Sequence, residues 1–250
     1  ANNLDPAGPN VLDSTVSILL NDGSGSFTSF GVPRPVRSRP QAIVAGDFDR
    51  DGIQDLAISS NETEEVSLLR GTGGGNFASV AWISAGSGPD GLVAADVDGD
   101  LDLDLLVCNN GDGTVSFLKN DSVSGTISFV LADTFAVGPD PTAIFAGRLD
   151  NNSTVDFAVA NSTATWLTIL HGDGTGNFDD LTPEILNLTG GDANPTSVTG
   201  ADFDGDGDID LAATVLNGSA VSVFQNGGTS FAQPPARIPA TDLPVHAAAA

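Results

Sequence analysis

Methionine and tyrosine are absent from this sequence of 250 residues, cysteine occurs once, and histidine and tryptophan twice each. Positive charge is scarce too: eight Lys and Arg stand against 33 Asp and Glu, a formal charge of −25. These shortages exclude several classes of function. Nucleic acid and anionic membrane surfaces both require a basic face, so neither is an expected partner. A single cysteine builds no disulfide framework, which leaves the redox compartment open. Cys108, in the run Leu105-Leu106-Val107-Cys108, reads as a small buried strand residue. His171 and His246 lie far apart with no nucleophile motif beside either, so no catalytic cluster is expected and the chain reads as a non-enzyme. No apolar run reaches membrane-spanning length, no basic-then-apolar leader opens the numbering, and no amphipathic helix of useful length occurs. A secreted protein could still be numbered from a mature end.

What the chain has in excess is aspartate, and it is concentrated. Asp202-Phe203-Asp204-Gly205-Asp206-Gly207-Asp208-Ile209-Asp210 runs directly into Leu211-Ala212-Ala213. Carboxylates at positions 1, 3, 5 and 9 of a tight loop suit a hard cation that takes several oxygen ligands, with position 7 offering its backbone carbonyl. The glycine at position 6 allows a sharp turn with positive φ. The phrase recurs as Asp47-Phe48-Asp49-Arg50-Asp51-Gly52-Ile53-Gln54-Asp55 and as Asp96-Val97-Asp98-Gly99-Asp100-Leu101-Asp102-Leu103-Asp104, where Leu101 replaces the glycine and is expected to strain the turn. A worn copy spans Arg148 to Asp156. We call these loops I (47–55), II (96–104), III (148–156, worn) and IV (202–210).

The expected calcium ligands are therefore Asp47, Asp49, Asp51 and Asp55 with the carbonyl of Ile53; Asp96, Asp98, Asp100 and Asp104 with the carbonyl of Asp102; and Asp202, Asp204, Asp206 and Asp210 with the carbonyl of Asp208. In loop III, Arg148 stands where a ligand should be and Asn152 is neutral, so no strong site is expected there. Arg148 is instead expected to pair with Asp150 or Asp156.

A second marker repeats out of phase with the aspartates. Val16-Ser17-Ile18-Leu19, Val66-Ser67-Leu68-Leu69, Val115-Ser116-Phe117-Leu118, Leu167-Thr168-Ile169-Leu170 and Val221-Ser222-Val223-Phe224 each lead through a turn to Phe27, Phe77, Phe129, Phe178 and Phe231. The phenylalanines step by about 50 residues, the spacing of propeller blades. Each unit reads as four short antiparallel strands. A first strand of small residues, opened by Pro40, Pro89, Pro141 or Pro195, enters the loop, and a second leaves it. The Val-Ser-x-Leu strand, whose alternation suits a sheet with two unlike faces, and a phenylalanine strand follow. The phenylalanines are expected to fill the space between blades. This predicts one all-β domain over 1–250, a β-propeller of about five units: 1–39 plus 244–250, 40–88, 89–140, 141–194 and 195–243. Radial closure protects strand edges, and residues 244–250 and 1–3 are expected to complete one blade.

The phrases Ala45-Gly46-Asp47 to Leu56-Ala57 and Gly200-Ala201-Asp202 to Leu211-Ala212 resemble the FG-GAP/VCBS repeats of integrin-like β-propellers, and the resemblance covers nearly the whole chain. It implies calcium between strands one and two of each blade, an extracellular or secreted setting, and adhesion or recognition of a protein or glycan. Rings of that family often have seven blades, so five is a departure. A helix-loop-helix calcium site fits worse, because position 12 falls on Ile58, Val107 and Ala213, where a bidentate Glu is needed.

Two alternatives to a recognition module remain open: a structural subunit that stacks on copies of itself in an extracellular fibre, sheath or coat, and a lectin with sugar sites between blades. For the lectin, Trp82 and Trp166 are the stacking candidates, although blade-to-blade packing is their plainer role. His171, before Gly172-Asp173-Gly174, reads as a solvated hairpin residue. Glycosylation sequons begin at Asn61, Asn161, Asn187 and Asn217.

Overall fold

The computed structural model describes residues 7–178, 182–189, 191 and 193–240. Among the described residues, twenty strands form five antiparallel sheets. The first holds β1 (Ala7–Asn10) and β2 (Thr15–Asn21), with its outer strand broken into β3 (Phe27–Ser29) and β4 (Arg34–Pro35), both paired to β2. The second runs in order β5 (Pro40–Gly46), β6 (Asp55–Ser60), β7 (Glu65–Gly73) and β8 (Asn76–Ser84). The third is β9 (Pro89–Ala95), β10 (Asp104–Asn109), β11 (Thr114–Asn120) and β12 (Phe129–Ala136); the fourth is β13 (Pro141–Gly147), β14 (Asp156–Asn161), β15 (Trp166–Leu170) and β16 (Glu184–Asn187). The fifth is β17 (Pro195–Ala201), β18 (Asp210–Val215), β19 (Ala220–Phe224) and β20 (Ala236–Pro239). A single 3₁₀ turn, Leu216–Gly218, is the one helical element among the described residues.

The four prolines open β5, β9, β13 and β17, where a missing N–H at the first strand residue costs no ladder bond. These strands are rich in Ala, Gly and other small residues and lie side by side in sequence order, β5 beside β9, β9 beside β13, and β13 beside β17. The sheets fan outward from that seam. Four apolar layers fill the spaces between the five sheets. Every residue of β6, β10, β14 and β18 is buried. β6, β10 and β14 have a sheet on each face and read as continuous apolar runs in place of an alternation, while β18 presents the small side chain of Ala212 to the outward side of the last sheet.

In the second, third and fourth sheets the same double coverage corrects the expectation of two unlike faces for the Val-Ser-x-Leu strand, since β7, β11 and β15 are each buried through four successive residues. β19, on the last sheet, alternates as expected. Ser67, Ser116, Thr168 and Ser222 are all buried. Ser222 Oγ finds no partner among the described residues, but the other three hydroxyls tie a sheet to the segment entering it. Ser67 Oγ accepts from the Arg37 amide at 3.1 Å, Ser116 Oγ donates to the Ala85 carbonyl at 3.2 Å, and Thr168 Oγ1 donates to the Val137 carbonyl at 2.5 Å. A buried hydroxyl keeps its place by such a bond.

Phe77, Phe129, Phe178 and Phe231 are buried in successive layers, as the repeat predicts, and Phe135, Phe157 and Phe178 form an edge-to-face cluster with centroids 4.6–6.3 Å apart. Phe178 and Phe231 sit in isolated bridges just ahead of β16 and β20 and not inside those strands. Phe27, on the first sheet, is exposed. At the other end of the fan, the outward face of the fifth sheet is uncovered among the described residues. There Val221, Val223, Phe203 and Ile238 line a depression of about 550 Å³. Residues 244–250 and 1–3, on which closure of the ring was expected to rest, lie outside the described residues.

Two smaller expectations are corrected. Trp82 does not pack between sheets: it is 55% exposed, with the Arg37 guanidinium 3.9 Å from its ring centroid. Asn161 cannot carry a glycan, because its side chain is buried and donates to Thr168 Oγ1. Cys108 is buried in β10 as expected.

Candidate metal centres

Each aspartate loop connects the first and second strands of its sheet, so all four sit at one end of the fan. The geometry begins at position 9, the first residue of the second strand. Asp55, Asp104, Asp156 and Asp210 are completely buried. One carboxylate oxygen of each accepts the amide of the loop's second residue: Phe48 at 2.9 Å, Val97 at 3.0 Å, Leu149 at 2.7 Å and Phe203 at 3.0 Å. The other oxygen accepts the amide of a residue at the end of the third strand: Gly71, Asn120, Gly172 and Asn226, at 2.7–2.9 Å. The ninth aspartate is therefore a brace as well as a candidate ligand. The worn loop keeps it as Asp156 while losing positions 1 and 5. Burial pushes Asp55 and Asp104 up to about 6, against the pull of their amide partners, with the Asp49/Asp51 and Asp98/Asp100 carboxylates adding to the rise.

Position 1 curls into its own loop. Asp47 accepts the amides of Asp51 and Gly52, Asp96 those of Gly99 and Leu101, and Asp202 those of Gly205, Asp206 and Gly207. Bringing those amides round requires left-handed backbone at two places, positions 4 and 6. Gly205 and Gly207 supply both in loop IV; loop I has Arg50 at φ 55° and Gly52, and loop II has Gly99 and Leu101 at φ 72°. The sequence signals position 6, and the structure adds position 4. At position 7, the amides of Ile53, Asp102 and Asp208 donate to the fifth-position carboxylates at 2.9–3.0 Å.

In loops I and II, oxygens of positions 1, 3 and 9 (Asp47, Asp49, Asp55; Asp96, Asp98, Asp104) come within 4.8 Å of one another. In loop IV the converging set is Asp202, Asp204 and Asp206, all exposed. An all-oxygen, carboxylate-rich donor set of this size fits a hard divalent cation such as Ca²⁺. Cationic side chains already occupy that region in two loops. Arg70 reaches Asp49 at 2.7 Å and Asp51 at 2.6 Å, and Lys119 contacts Asp98 and Asp100. Those carboxylates hold the guanidinium and the ammonium above their ordinary pKa ranges. Sequence reasoning missed both bases.

The worn loop III is corrected on two points. Arg148 is exposed and makes no ion pair among the described residues. The cation facing Asp150 and Asp156 is His171, whose Nδ1 lies 3.6 Å and 3.7 Å from them, while Nε2 is 3.2 Å from Glu184. His171 is thus half-buried among carboxylates and is not a solvated hairpin residue. Asp156 first and Glu184 second push its pKa up to about 10, with burial opposing them.

Neighbouring loops are joined. Asn120 Nδ2 donates to the Phe48 carbonyl in loop I at 2.9 Å, and Asn226 Nδ2 to the Leu149 carbonyl in loop III at 3.0 Å. Arg50 of loop I reaches Asp102 of loop II at 2.8 Å.

The FG-GAP-like repeat family matches residues 10–58, 47–107 and 148–213, more than half of the chain and centred on these loops. The chain belongs to the FG-GAP-like repeat family. No curated protein matches the sequence. Among solved structures, this FG-GAP protein is similar to a candidate 6-phosphogluconolactonase from Bacteroides uniformis (TM-score 0.71, 9% identity, 96% of this chain and 69% of that one). It is also similar to a functionally unknown protein from Desulfotomaculum acetoxidans (TM-score 0.60, 16% identity, 91% and 65%). A third is an Agrocybe aegerita lectin that recognises non-reducing terminal N-acetylglucosamine (TM-score 0.55, 19% identity, 88% and 60%). At these identities the likeness is one of fold. The FG-GAP chain spans about two thirds or less of the first such structures, down to 57%.

Two measurements test the loop geometry. Leu101 is 82% exposed, so Leu101→Gly loses no packing and relieves left-handed backbone; it should stabilise the protein by about 0.5–1 kcal/mol in urea unfolding. A loss of stability would show the turn to be unstrained. For His171, a pKa raised from 6.5 to about 10 means stabilisation that is complete below about pH 6.5 and is lost as pH climbs toward 10. The melting-temperature gap between wild type and His171→Gln should therefore narrow steadily from pH 6.5 to 10; a constant gap refutes the pairing.

Proposed function

We propose that this FG-GAP protein is a calcium-stabilised, extracellular, non-catalytic recognition module whose ligand is a protein or a glycan. The observation that carries the reading is the convergence of carboxylate oxygens from three separate aspartates in each of loops I, II and IV. In loops I and II, Asp47, Asp49, Asp51 and Asp55, and Asp96, Asp98, Asp100 and Asp104, would hold the ion, with the carbonyls of Ile53 and Asp102. In loop IV, Asp202, Asp204, Asp206 and Asp210 would do so with the carbonyl of Asp208. Bound there, the ion cancels repulsion among like charges, and its binding free energy adds to folding. Extracellular calcium modules bind at about 10⁻⁴ to 10⁻³ M, which matches use outside the cell.

The chain's own residues then supply rigidity. The ninth aspartates lock each loop to the third strand, and the asparagines Asn120 and Asn226 lock loop to neighbouring sheet. A stiff fan of sheets with variable connections at its edges suits binding without chemistry. His171, held protonated among carboxylates, is a poor general base, which supports the non-catalytic reading. The Arg37 guanidinium already stacks on the Trp82 ring, so sugar stacking there is not the reading preferred.

Chelation tests the proposal. Raising free calcium from zero to about 10 mM, roughly 10 to 100 times that Kd, should raise the melting temperature by several degrees, since each site then adds about 1.4–2.7 kcal/mol. An identical melt in excess chelator and at that calcium concentration would sink it.

A second reading, a structural subunit that stacks on copies of itself, is favoured by one observation. Val221 and Val223 on the uncovered fifth sheet stand at the register of Val66 and Leu68, of Val115 and Phe117, and of Leu167 and Ile169, which the next sheet covers in each case. A second copy seated there would continue the fan. Sedimentation velocity should then show mass rising with concentration; a fixed monomer across about a 100-fold range of protein concentration would dismiss this reading.

A further inference from the structure

The residue that follows the Val-Ser-x-Leu phrase is Arg70 in the second sheet, Lys119 in the third, His171 in the fourth and Gln225 in the fifth. Each is placed by the same geometry. The backbone amide of the next residue is pinned to the ninth-position aspartate, which turns the preceding side chain across the second strand and into the loop. There it meets the third-position carboxylate, 21 residues earlier: Arg70 on Asp49, Lys119 on Asp98 and Gln225 on Asp204 at 2.9 Å, with His171 beside Asp150 in the worn loop. Arg70 and Lys119 also take the fifth-position carboxylates, Asp51 and Asp100.

We propose that this strand-end side chain sets how strongly each loop holds a divalent cation, making loop IV the tightest calcium site and loops I and II weaker sites that carry their own counter-charge. The inference rests on the calcium reading above and goes beyond it. The three loops carry aspartates at the same positions 1, 3, 5 and 9. Although the converging oxygens are those of positions 1, 3 and 9 in loops I and II and of 1, 3 and 5 in loop IV, the strand-end residue is the difference in charge among them. Loops I and II each set one fixed positive charge against the same carboxylates that an ion needs at positions 3 and 5. An incoming ion must displace that base or sit beside it, and a like charge a few ångströms from a divalent ion costs on the order of tenfold in affinity even with strong screening. Loop IV presents the same carboxylates to a neutral amide. The Arg70 contact is not a loose surface pair, since the Asp49 side chain is fully buried and the guanidinium is its balancing charge.

The test is calorimetric titration of the whole calcium-stripped chain with calcium chloride, with folding of each variant checked by circular dichroism. Wild type should show one tighter site and two weaker ones. Gln225→Lys, an exposed substitution that does not endanger the fold, should weaken the tighter site by about tenfold or more. Arg70→Gln and Lys119→Gln should each bring one weaker site up by about tenfold. In chelator, Arg70→Gln should melt lower than wild type and recover more on adding calcium. Binding isotherms unchanged by Gln225→Lys, or three equal sites in wild type, would overturn the inference while leaving the calcium reading intact. Folded wild type and variants that give no calcium heat at all would overturn both.

Discussion

A fully buried carboxylate holds each of the four aspartate-loop repeats together. Isolating an ionised aspartate in a protein interior costs several kcal/mol unless hydrogen bonds replace its solvent. At Asp55, Asp104, Asp156 and Asp210 two backbone amides do so, one from the loop and one from the far strand. The single side chain thereby fixes the start of the loop, the start of the second strand and the end of the third. Everything else about the loop follows from this closure. The first-position carboxylate can gather the amides of positions 4 to 6 only because the loop is short and its ends are tied. The strand-end residue faces the loop only because the next amide is held.

The brace is also under tension. Burial and neighbouring carboxylates draw Asp55 and Asp104 toward the protonated form, and a positive charge at the loop centre reverses that pull. Arg70 and Lys119 supply part of it from within the chain. Coupling then passes sideways through Asn120, Asn226 and the Arg50–Asp102 pair, each of which crosses from one sheet's loop to its neighbour's. Charge balance in one loop thus bears on the packing of two sheets. In a fan where four apolar layers supply most of the cohesion, the loops at one end act as rivets for the seam of inner strands.

The repeat in the sequence was sufficient for the five antiparallel sheets and their order. Prolines that open the first strands, the runs Leu56-Ala57-Ile58 and Leu105-Leu106-Val107, and the buried phenylalanines all lie where the periodicity puts them, because these features act locally or through a period that survives folding. The candidate ligands of loops I and II were legible for the same reason: their spacing is a property of nine consecutive residues. Illegible were the contacts that cross strands. Nothing in the Val-Ser-x-Leu phrase says that its hydroxyl faces another sheet and not solvent, since alternation looks the same for a half-exposed strand and for one covered on both sides. Trp82 met the opposite fate, ending on the surface beneath Arg37.

The order of aspartates and glycines by itself determined a chain of small sheets joined by oxygen-rich turns, because turn chemistry and strand period are encoded within a few residues. Which positive charge each turn meets was decided only by tertiary structure. Arg70 and Lys119 stand 21 residues from their third-position partners, and in the worn loop it is His171, just past a later strand, and not the nearby Arg148 that faces Asp150 and Asp156. Coulomb attraction depends on distance in space, and only the folded register of three strands sets that distance.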